Sequence, residues 1–381
     1  MRPIGILINK KGSIFIITML VGVSLLILVS SFIAWLVLEY GLTGRSHDSA
    51  NALALAEAAV ERGIYELNDG GWTNPANGSV HNLNVNSFTS SSGNVMGSYS
   101  VAANVDASGL PITVTGTGSV PSSAAPRVQR TVRVMLEKHA FQWGVFSESD
   151  LTFTGNSTTD SFDSDVAAYN ATSPKGTSGD IGSNGGIDLN GNVTINGSAT
   201  PGPGETVSTT GGVTVTGSTS PIGEDVVIDP VLIPGGLLPG TAINLNGNDT
   251  LPLTTGTYFF TSIKATGNST IVINSAAGPV IIYTNGDIDV HGNAFVNAGA
   301  PTDFQIYSTG DDIDFTGNAV VNAAIYAPNA DVHITGNATI LGAVTCDQFR
   351  ANGNVDIHHD LACRRLNNPF SRYVPYSWQE T

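Results

Sequence analysis

The sequence predicts a mainly β protein with two parts. The first has a transmembrane helix, an amphipathic continuation and a small antiparallel sheet; the second is a single-stranded, right-handed parallel β-helix. Three observations support this prediction. A run without charged residues extends from Gly12 to Leu38, three alternating segments follow between residues 99 and 136, and a short phrase ending in Gly-Asn then recurs nine times between Leu151 and Ile357.

The repeated phrase has apolar residues four and two positions before a glycine. Period-two alternation places both on one face of a strand, and we expect Gly-Asn to supply the positive-φ residues of a tight turn. A further apolar residue recurs four positions after the glycine, as at Ile195, Ile271 and Val296. The aligned glycines are Gly155, Gly191, Gly217, Gly247, Gly267, Gly292, Gly317, Gly336 and Gly353.

The spacing between these glycines falls from 36 to 17 residues along the chain. Short repeats of this kind are typical of stacked coils that bury their apolar residues against their neighbours. We therefore predict a β-solenoid over residues 148–363, with an antiparallel sandwich as the alternative. Residues 199–240, rich in Pro and Gly, are expected to form long loops between early coils. Residues 141–146 and 364–381 are expected to cap its two ends.

The N-terminal segment has the pattern of a membrane anchor. Residues 1–11 carry Arg2, Lys10 and Lys11 without an acidic residue, and residues 12–38 are long enough to span a bilayer as a helix. Basic flanks stay in the cytoplasm, so the bulk of the chain is expected to be periplasmic or extracellular. A cleaved secretory signal is the alternative, but its apolar core would be only about 7–15 residues long.

A second helical signal and a sheet are predicted for residues 46–140. Leu53, Ala56, Val60, Ile64 and Leu67 form one stripe of an amphipathic helix, which we expect to pack on its own domain. The segments 99–105, 112–116 and 128–136 alternate as strands of a small antiparallel sheet. Residues 68–97 have the composition of a surface loop.

Charge and cysteine content narrow the function and the compartment. The formal net charge of −16 argues against a nucleic-acid partner. The two cysteines, Cys346 and Cys363, are 17 residues apart, which equals the last glycine spacing. Equivalent places on adjacent coils lie within the Cα range of a disulfide, so we predict a bridge between them in an oxidising compartment. Two buried free thiols are the alternative.

The basic tip, the long apolar helix, the continuation with Leu55-Ala-Glu-Ala-Ala59 and the three-strand sheet resemble pilin-like proteins of type IV pili. The resemblance is strongest to the minor pilins and pilus-assembly proteins of the PilX type. Some of these proteins carry a Gly- and Asn-rich solenoid, which Ile325-Tyr-Ala-Pro328 and Asp356-Ile-His-His-Asp360 also resemble. The resemblance implies a bacterial inner-membrane protein with other pilin subunits or assembly proteins as partners. Gly12-Ser13 is the candidate prepilin cleavage point, but Ile17 stands where a glutamate is usual.

No catalytic, cofactor or metal site is predicted, so we expect a structural role and not an enzyme. Alternation turns His358 and His359 to opposite faces, which argues against a metal site with Asp360. A row of acidic residues is expected to be a solvated face, with weak Ca²⁺ binding as the alternative: Asp287, Asp289, Asp312, Asp314 and Asp331.

The predicted function is a component of type IV pilus assembly, with the exported solenoid contacting a partner or a surface. Surface polysaccharide is a further candidate partner. Two alternatives stay open at this point: an envelope-anchored scaffold that polymerises through solenoid ends, and a β-helical protein that binds or acts on carbohydrate.

Overall fold

A computed structural model describes residues 10–381, apart from residues 69–71, 73–79, 90–94, 105–111, 123, 139, 173–174, 293–294, 367, 369 and 371. The protein is mainly β with one long N-terminal helix, as predicted. The chain divides into two compact units. The first contains Met1–Leu136 and Pro375–Thr381, and the second contains Glu137–Val374.

The elements follow one another in chain order, with two 3₁₀ helices, η1 and η2, among the strands. They are α1 (Lys10–Asn68), β1 (Val80–Thr89), β2 (Val95–Asn104), β3 (Ile112–Val120), β4 (Val128–Lys138), β5 (Val145–Ser147), β6 (Leu151–Phe162), β7 (Ile181–Ser183), β8 (Ile187–Ile195), β9 (Ala199–Thr200), β10 (Val207–Gly211), β11 (Thr214–Val215), β12 (Ile243–Leu245), β13 (Thr250–Thr254), β14 (Gly256–Phe260), β15 (Ile263–Ala265), β16 (Thr270–Asn274), β17 (Val280–Thr284), β18 (Ile288–His291), β19 (Phe295–Asn297), η1 (Pro301–Asp303), β20 (Phe304–Ser308), β21 (Asp312–Gly317), β22 (Val320–Asp360), η2 (Leu361–Arg365) and β23 (Tyr373–Glu380).

The helix α1 is continuous over 59 residues, including the polar step at residues 41–46 that separates its two predicted parts. Its apolar N-terminal half is long enough to cross a membrane by length and composition, and the most apolar window has no buried residue. This agrees with a single-pass membrane anchor. Gly12 and Ser13 lie in the first turns of α1, and their candidate cleavage stays a prediction.

The first unit contains a five-stranded sheet in the order β1-β2-β3-β4-β23. The three predicted strands are present, and their consecutive pairs are antiparallel. Two strands were not predicted: β1 lies in the expected loop, and β23 lies in the segment expected to cap the solenoid. Because β4 and β23 belong to one sheet, the second unit is an insertion between two strands of the first.

The C-terminal half of α1 packs on this sheet through small residues. Its buried face consists of Ala52, Leu55, Ala56, Ala59 and Val60, so the predicted stripe is wrong at Leu53, Ile64 and Leu67, which are less buried. The reason is the close approach of the helix backbone to glycines of β3. A Cβ atom on Gly118 would lie 2.0 Å from the Ala52 carbonyl oxygen.

The described residues of the second unit form nine rungs, which we number in chain order by the glycine of the repeated phrase. Parallel strand pairs align the phrases of neighbouring rungs, as for Gly155 with Gly191. This is the pairing that stacked coils require. The rung glycines are Gly155, Gly191, Gly211, Gly247, Gly267, Gly292, Gly317, Gly336 and Gly353.

The rungs do not stack in chain order. The main row of strands runs β10-β8-β6-β22-β21-β18-β15-β12. Rung 1 therefore pairs with rung 9, as the register of Gly155 with Gly353 shows. The order along the stack is 3-2-1-9-8-7-6-5-4. Residues 219–242 return from rung 3 to rung 4 and cover a tyrosine-rich side of the stack through Val231.

The glycine and the asparagine of the phrase have separate roles. Glycine alone takes positive φ, for example +119° at Gly155, whereas no described non-glycine residue does, so the predicted positive-φ asparagine is wrong. The asparagine side chains instead bond from rung to rung. Asn192 Nδ2 donates to Asn156 Oδ1 at 2.9 Å, and Asn156 Nδ2 donates to Asn354 Oδ1 at 3.0 Å.

Two details of the predicted register are wrong. Gly211, not Gly217, is the glycine of rung 3, because β10 pairs with β8 and Val215 pairs with Ile195. In rung 6 the inward position after the glycine is Phe295, and Val296 is 42% exposed. In rung 6 one residue is missing between the glycine and the inward position, compared with rung 5. In rung 3 the spacing is regular, but residues 213–217 imitate the phrase just after the true corner at Gly211.

The predicted caps lie in the middle of the stack. Residues 145–147 form β5, which pairs with β22 and β7, and Phe370 packs on Tyr307 and Tyr326 at the side. The ends of the stack are rungs 3 and 4. At rung 3, Val207, Val213 and Val215 are only partly buried, because no rung lies beyond them.

Candidate functional site

The junction of rungs 1 and 9 carries a buried polar cluster. Asp160 of β6 and His358 of β22 are paired in the strand register and point outward from the stack. Residues 163–172 and 175–178 leave β6 as a loop, hereafter the junction loop, and cover both side chains. As a result Asp160 is fully buried and His358 is 4% exposed.

Three side chains surround the Asp160 carboxylate. His358 Nδ1 lies 2.6 Å from Oδ1, Lys175 Nζ lies 3.0 Å from Oδ2, and the Tyr169 hydroxyl lies 3.5 Å from Oδ2. The Tyr169 ring also stacks on the His358 ring with centroids 3.9 Å apart. The junction loop is therefore attached to the stack through both an ion pair and a ring stack.

The pKa values follow from this arrangement. Burial alone would raise the pKa of Asp160, but the hydrogen bonds and charges of His358 and Lys175 lower it below its ordinary value. The hydrogen bond to Asp160 raises the pKa of Lys175, while burial and the charge of Asp160 raise the pKa of Tyr169. A charged aspartate and a charged lysine result, which is the protonation pattern of a structural ion pair.

His359 and Asp360 follow His358 in the chain and contact other parts of the junction. His359 Nδ1 lies 3.0 Å from the Ser178 carbonyl oxygen, and Nε2 lies 3.2 Å from that of Phe141. Burial, followed by the charge of Arg364, lowers the pKa of His359 to about 4. A neutral imidazole can donate to only one of the two carbonyls. Asp360 caps η2 by accepting from Ala362 N, and burial raises its pKa.

A groove opens beside the junction loop, with a volume of about 360 Å³. One wall is the junction loop with Phe162 and Tyr169, and the opposite wall is the turn at residues 298–301. The floor consists of Asn322 and Leu341. These two residues come from rungs 7 and 8, so the groove runs across the strands.

Besides Tyr169, two residues bring polar side chains to the groove, Asn322 and Ser164. The Asn322 side chain donates to the carbonyl oxygens of Gly299 at 2.8 Å and Asn297 at 3.2 Å, which holds the opposite wall in place. Its Oδ1 atom is buried and has no hydrogen-bond partner among the described residues. Ser164 donates its hydroxyl to Asp360 Oδ2 at 2.6 Å, so the hydroxyl oxygen can still accept.

The sequence-predicted site residues lie in separate places. Cys346 is inside the stack, whereas Cys363 is in η2 and packs with the tyrosine-rich cluster at the side. Both are free and buried, so the predicted bridge is not formed in this structure. The reason is that the chain leaves the stack after Asp360, and β5 takes the place beside residues 344–346 that the next coil would occupy.

The acidic residues form two rows on the main sheet, with Asp289 beside Asp314 and Asp312 beside Asp331, and two of them have cationic or histidine partners. Asp289 Oδ2 lies 2.5 Å from Lys264 Nζ, and Asp289 Oδ1 lies 2.8 Å from His291 Nε2. Asp314 Oδ1 lies 3.4 Å from His333 Nδ1. Over the described part of the chain, no three His, Cys, Asp or Glu side chains converge as metal ligands do.

Sequence reasoning missed Asp160, Tyr169 and Lys175. Asp160 stands where the other rungs carry Asn196, Asn322 or Leu341, and a lone carboxylate at an outward position gives no local signal of burial. The length of the first interval, 36 residues from Gly155 to Gly191, was the available sign of an inserted loop. It does not say where that loop folds.

The chain is weakly similar to several known proteins. A family model described as a domain of unknown function, DUF7305, matches residues 261–366, which is less than half of the chain. No curated protein matches the chain. Among solved structures, the competence-associated pilin ComZ from Thermus thermophilus is 13% identical with a TM-score of 0.38, covering 87% of this chain and 97% of that one.

Two ice-binding proteins are also similar at this level. One from an Antarctic biological consortium is 12% identical with a TM-score of 0.34, covering 61% of this chain and 92% of its own. The DUF3494 domain of Shewanella frigidimarina ice-binding protein 1 is 11% identical with a TM-score of 0.33, covering 58% and 95%. Such values assign neither a fold nor a function, and the architecture above rests on the strand pairings.

Proposed function

We propose that this chain is a membrane-anchored, minor-pilin-like subunit of a type IV pilus-like assembly. We propose further that its second unit is a β-solenoid displayed outside the membrane, where it contacts a partner or a surface. The role is structural and not enzymatic. The observation that carries the proposal is the position of the second unit, inserted between β4 and β23 of a helix-and-sheet module whose helix continues into an exposed apolar half.

The helix supports this role through its two different halves. Its C-terminal half is buried on the sheet through Ala52, Ala56 and Val60, whereas Leu26 and Leu28 in the other half are 70% and 67% exposed. An exposed apolar helix of this length needs a bilayer or other apolar helices around it. A pilin-like subunit meets both surroundings, first in the membrane and then in a filament.

A polymerising scaffold is the less favoured alternative, for a reason that differs from the predicted one. Among the described residues no separate cap covers either stack end, but the end rungs have features that discourage edge pairing. Pro252 in the edge strand β13 lacks a donor N–H. In rung 3, Thr209 occupies the place of Leu189, and Gly212 replaces the asparagine of the other rungs.

The test is deletion of the gene in its host, complemented by variants of the full chain. Wild-type protein is expected in the sheared filament fraction and to restore adhesion. Leu26→Glu places a charge in the apolar half and is expected to remove the protein from membrane and filament, whereas Leu26→Ile is the matched control. Unchanged piliation, adhesion and twitching after deletion would contradict the proposal.

A further inference from the structure

We infer that the groove beside the junction loop binds a neutral, hydroxyl-rich ring, such as one pyranose unit of a glycan. The inference deepens the proposed function, because it names the chemistry that the displayed solenoid contacts. It depends on the groove's size, its aromatic wall, its hydroxyl acceptor and its lack of charge.

The size and the walls suit a small cyclic ligand. A volume of about 360 Å³ lies at the lower end of small-molecule sites, which span about 300–1,000 Å³. Phe162 and Tyr169 meet edge to face with centroids 5.3 Å apart. The Tyr169 ring is fixed by its stacking on His358, so this wall is rigid before a ligand arrives. An aromatic wall of this kind packs against the C–H face of a sugar ring.

The polar side chains of the groove call for a ligand that donates a hydrogen bond. Asn322 holds the opposite wall through the two bonds that its amide group donates, and its Oδ1 atom lies buried beneath the surface of the groove. The Ser164 hydroxyl donates to Asp360 Oδ2, so its oxygen can accept a hydrogen bond from a ligand. Sugar hydroxyls supply such a donor, whereas the apolar side chain of a docking peptide has none.

The charge distribution favours a neutral ligand over an ion. None of the lining residues is charged, so a cation finds no carboxylate in the groove. Asp163 and Asp165, on the loop that forms the wall, are already paired with Arg365. The surrounding chain carries a formal net charge of −16, which repels phosphates and uronic acids.

The experiment uses the full chain in detergent micelles and saturation-transfer difference NMR. The probes are the methyl glycosides of glucose, galactose, mannose and N-acetylglucosamine, with methyl glucuronate as the anionic probe and N-acetyl-leucine amide as the apolar one. At least one neutral glycoside is expected to give a signal, and methyl glucuronate is expected to give none. No signal from any neutral glycoside, or signal from the leucine probe alone, overturns the inference.

Two tryptophan variants locate the binding. Ala168 is exposed and lines the groove, so Ala168→Trp is expected to reduce the glycoside signal at least fivefold. Val166 lies on the same loop, is 83% exposed and is not among the lining residues, so Val166→Trp is expected to stay within twofold of wild type. Ala298→Trp, on the opposite wall, repeats the blockage if Ala168→Trp does not fold.

Equal glycoside signals from the blocked and control variants overturn the inference. Filament incorporation separates this outcome from failure of the proposed function. Protein that enters filaments but gives no glycoside signal contradicts the ligand inference and leaves the proposed pilus role standing. A chain that gives a glycoside signal but never enters a filament contradicts the pilus role and leaves the ligand inference standing.

Discussion

The junction of rungs 1 and 9 and the two ends of the stack contain the same repeated phrase in different surroundings. At the junction, Leu151, Phe153, Phe349 and Ala351 are fully buried. At rung 3 the corresponding interior is formed by partly buried valines and the exposed Thr209. A rung is therefore fully buried only where it has a neighbouring rung on both sides. Here the first and last repeats of the chain cover each other and are as fully buried as the repeats between the two ends.

The junction also collects buried ionisable groups that the ends lack. Asp160, His358, His359 and Asp360 lie within one strand pair, beneath or beside the junction loop. The chain enters the stack at β5 and leaves it at η2, so this strand pair closes the insertion. We therefore expect substitutions at the junction to affect the whole second unit, and those at the ends to have local effects.

The largest difference is expected from truncation of a core aromatic. Phe349→Ala removes a fully buried ring that packs 5.5 Å from Phe153, which costs about 3–5 kcal/mol. Val207→Ala at rung 3 is expected to cost about 1 kcal/mol. Hydrogen exchange measured by mass spectrometry is expected to show protection lost in both β6 and β22 for the first variant, and near β10 alone for the second. Similar losses for both variants would contradict the comparison.

A buried and an exposed ion pair give the next largest contrast. Asp160→Asn leaves His358 and Lys175 without their carboxylate and is expected to cost about 3 kcal/mol. Asp289→Asn removes a partly exposed pair with Lys264 and is expected to cost at most about 1 kcal/mol. Urea unfolding of the two variants measures both values. An equally small effect at Asp160 would mean that the junction loop is not held by this pair.

His359 is expected to make the junction sensitive to acid. Its pKa in the folded chain is about 4, below the ordinary value of 6.5. The unfolded chain therefore takes up a proton between these pH values while the folded chain does not, and stability falls as the pH drops from about 6.5 to about 4. The loss approaches about 3 kcal/mol.

The control for this effect is His359→Gln, which keeps one donor and cannot titrate. Asp360 titrates in both proteins, so the difference between their stability curves isolates His359. The difference is expected to be flat above pH 7 and to slope between pH 6.5 and 4. A flat difference over the whole range would show that His359 is not buried in its neutral form.

The smallest contrast concerns the asparagines of the phrase. Asn354 donates to Asn337 Oδ1 at 2.7 Å and accepts from Asn156 Nδ2 at 3.0 Å, so Asn354→Ala is expected to cost about 1 kcal/mol. Asn248, in end rung 4, accepts one bond, from Asn268 at 3.4 Å. Asn248→Ala is expected to cost less than half of this free energy. The unfolding midpoints of the two variants measure both costs. An equal shift for both variants would contradict a ladder that strengthens toward the junction.

Several parts of the fold were predictable because their signals are local. The uncharged run of residues 12–38, the alternation in β2, β3 and β4, and the spacing of the apolar pair around Gly155 each follow from neighbouring residues. The candidate site was not predictable in this way. Asp160 and His358 are 198 residues apart, and Tyr169 reaches both from an inserted loop whose sequence carries no periodic signal.

The sequence by itself determined most of the elements and most of the registers within rungs: glycine where the corner needs positive φ, apolar residues where the strand faces inward, and asparagine where side chains bond between rungs. Only the tertiary structure decided which rungs are neighbours. The reason is that the phrase presents nearly the same edges in every rung, so it does not distinguish rung 2 from rung 9 as a partner of rung 1. The choice follows from the insertion between β4 and β23, which brings both chain connections to one place and sends residues 219–242 back along the stack.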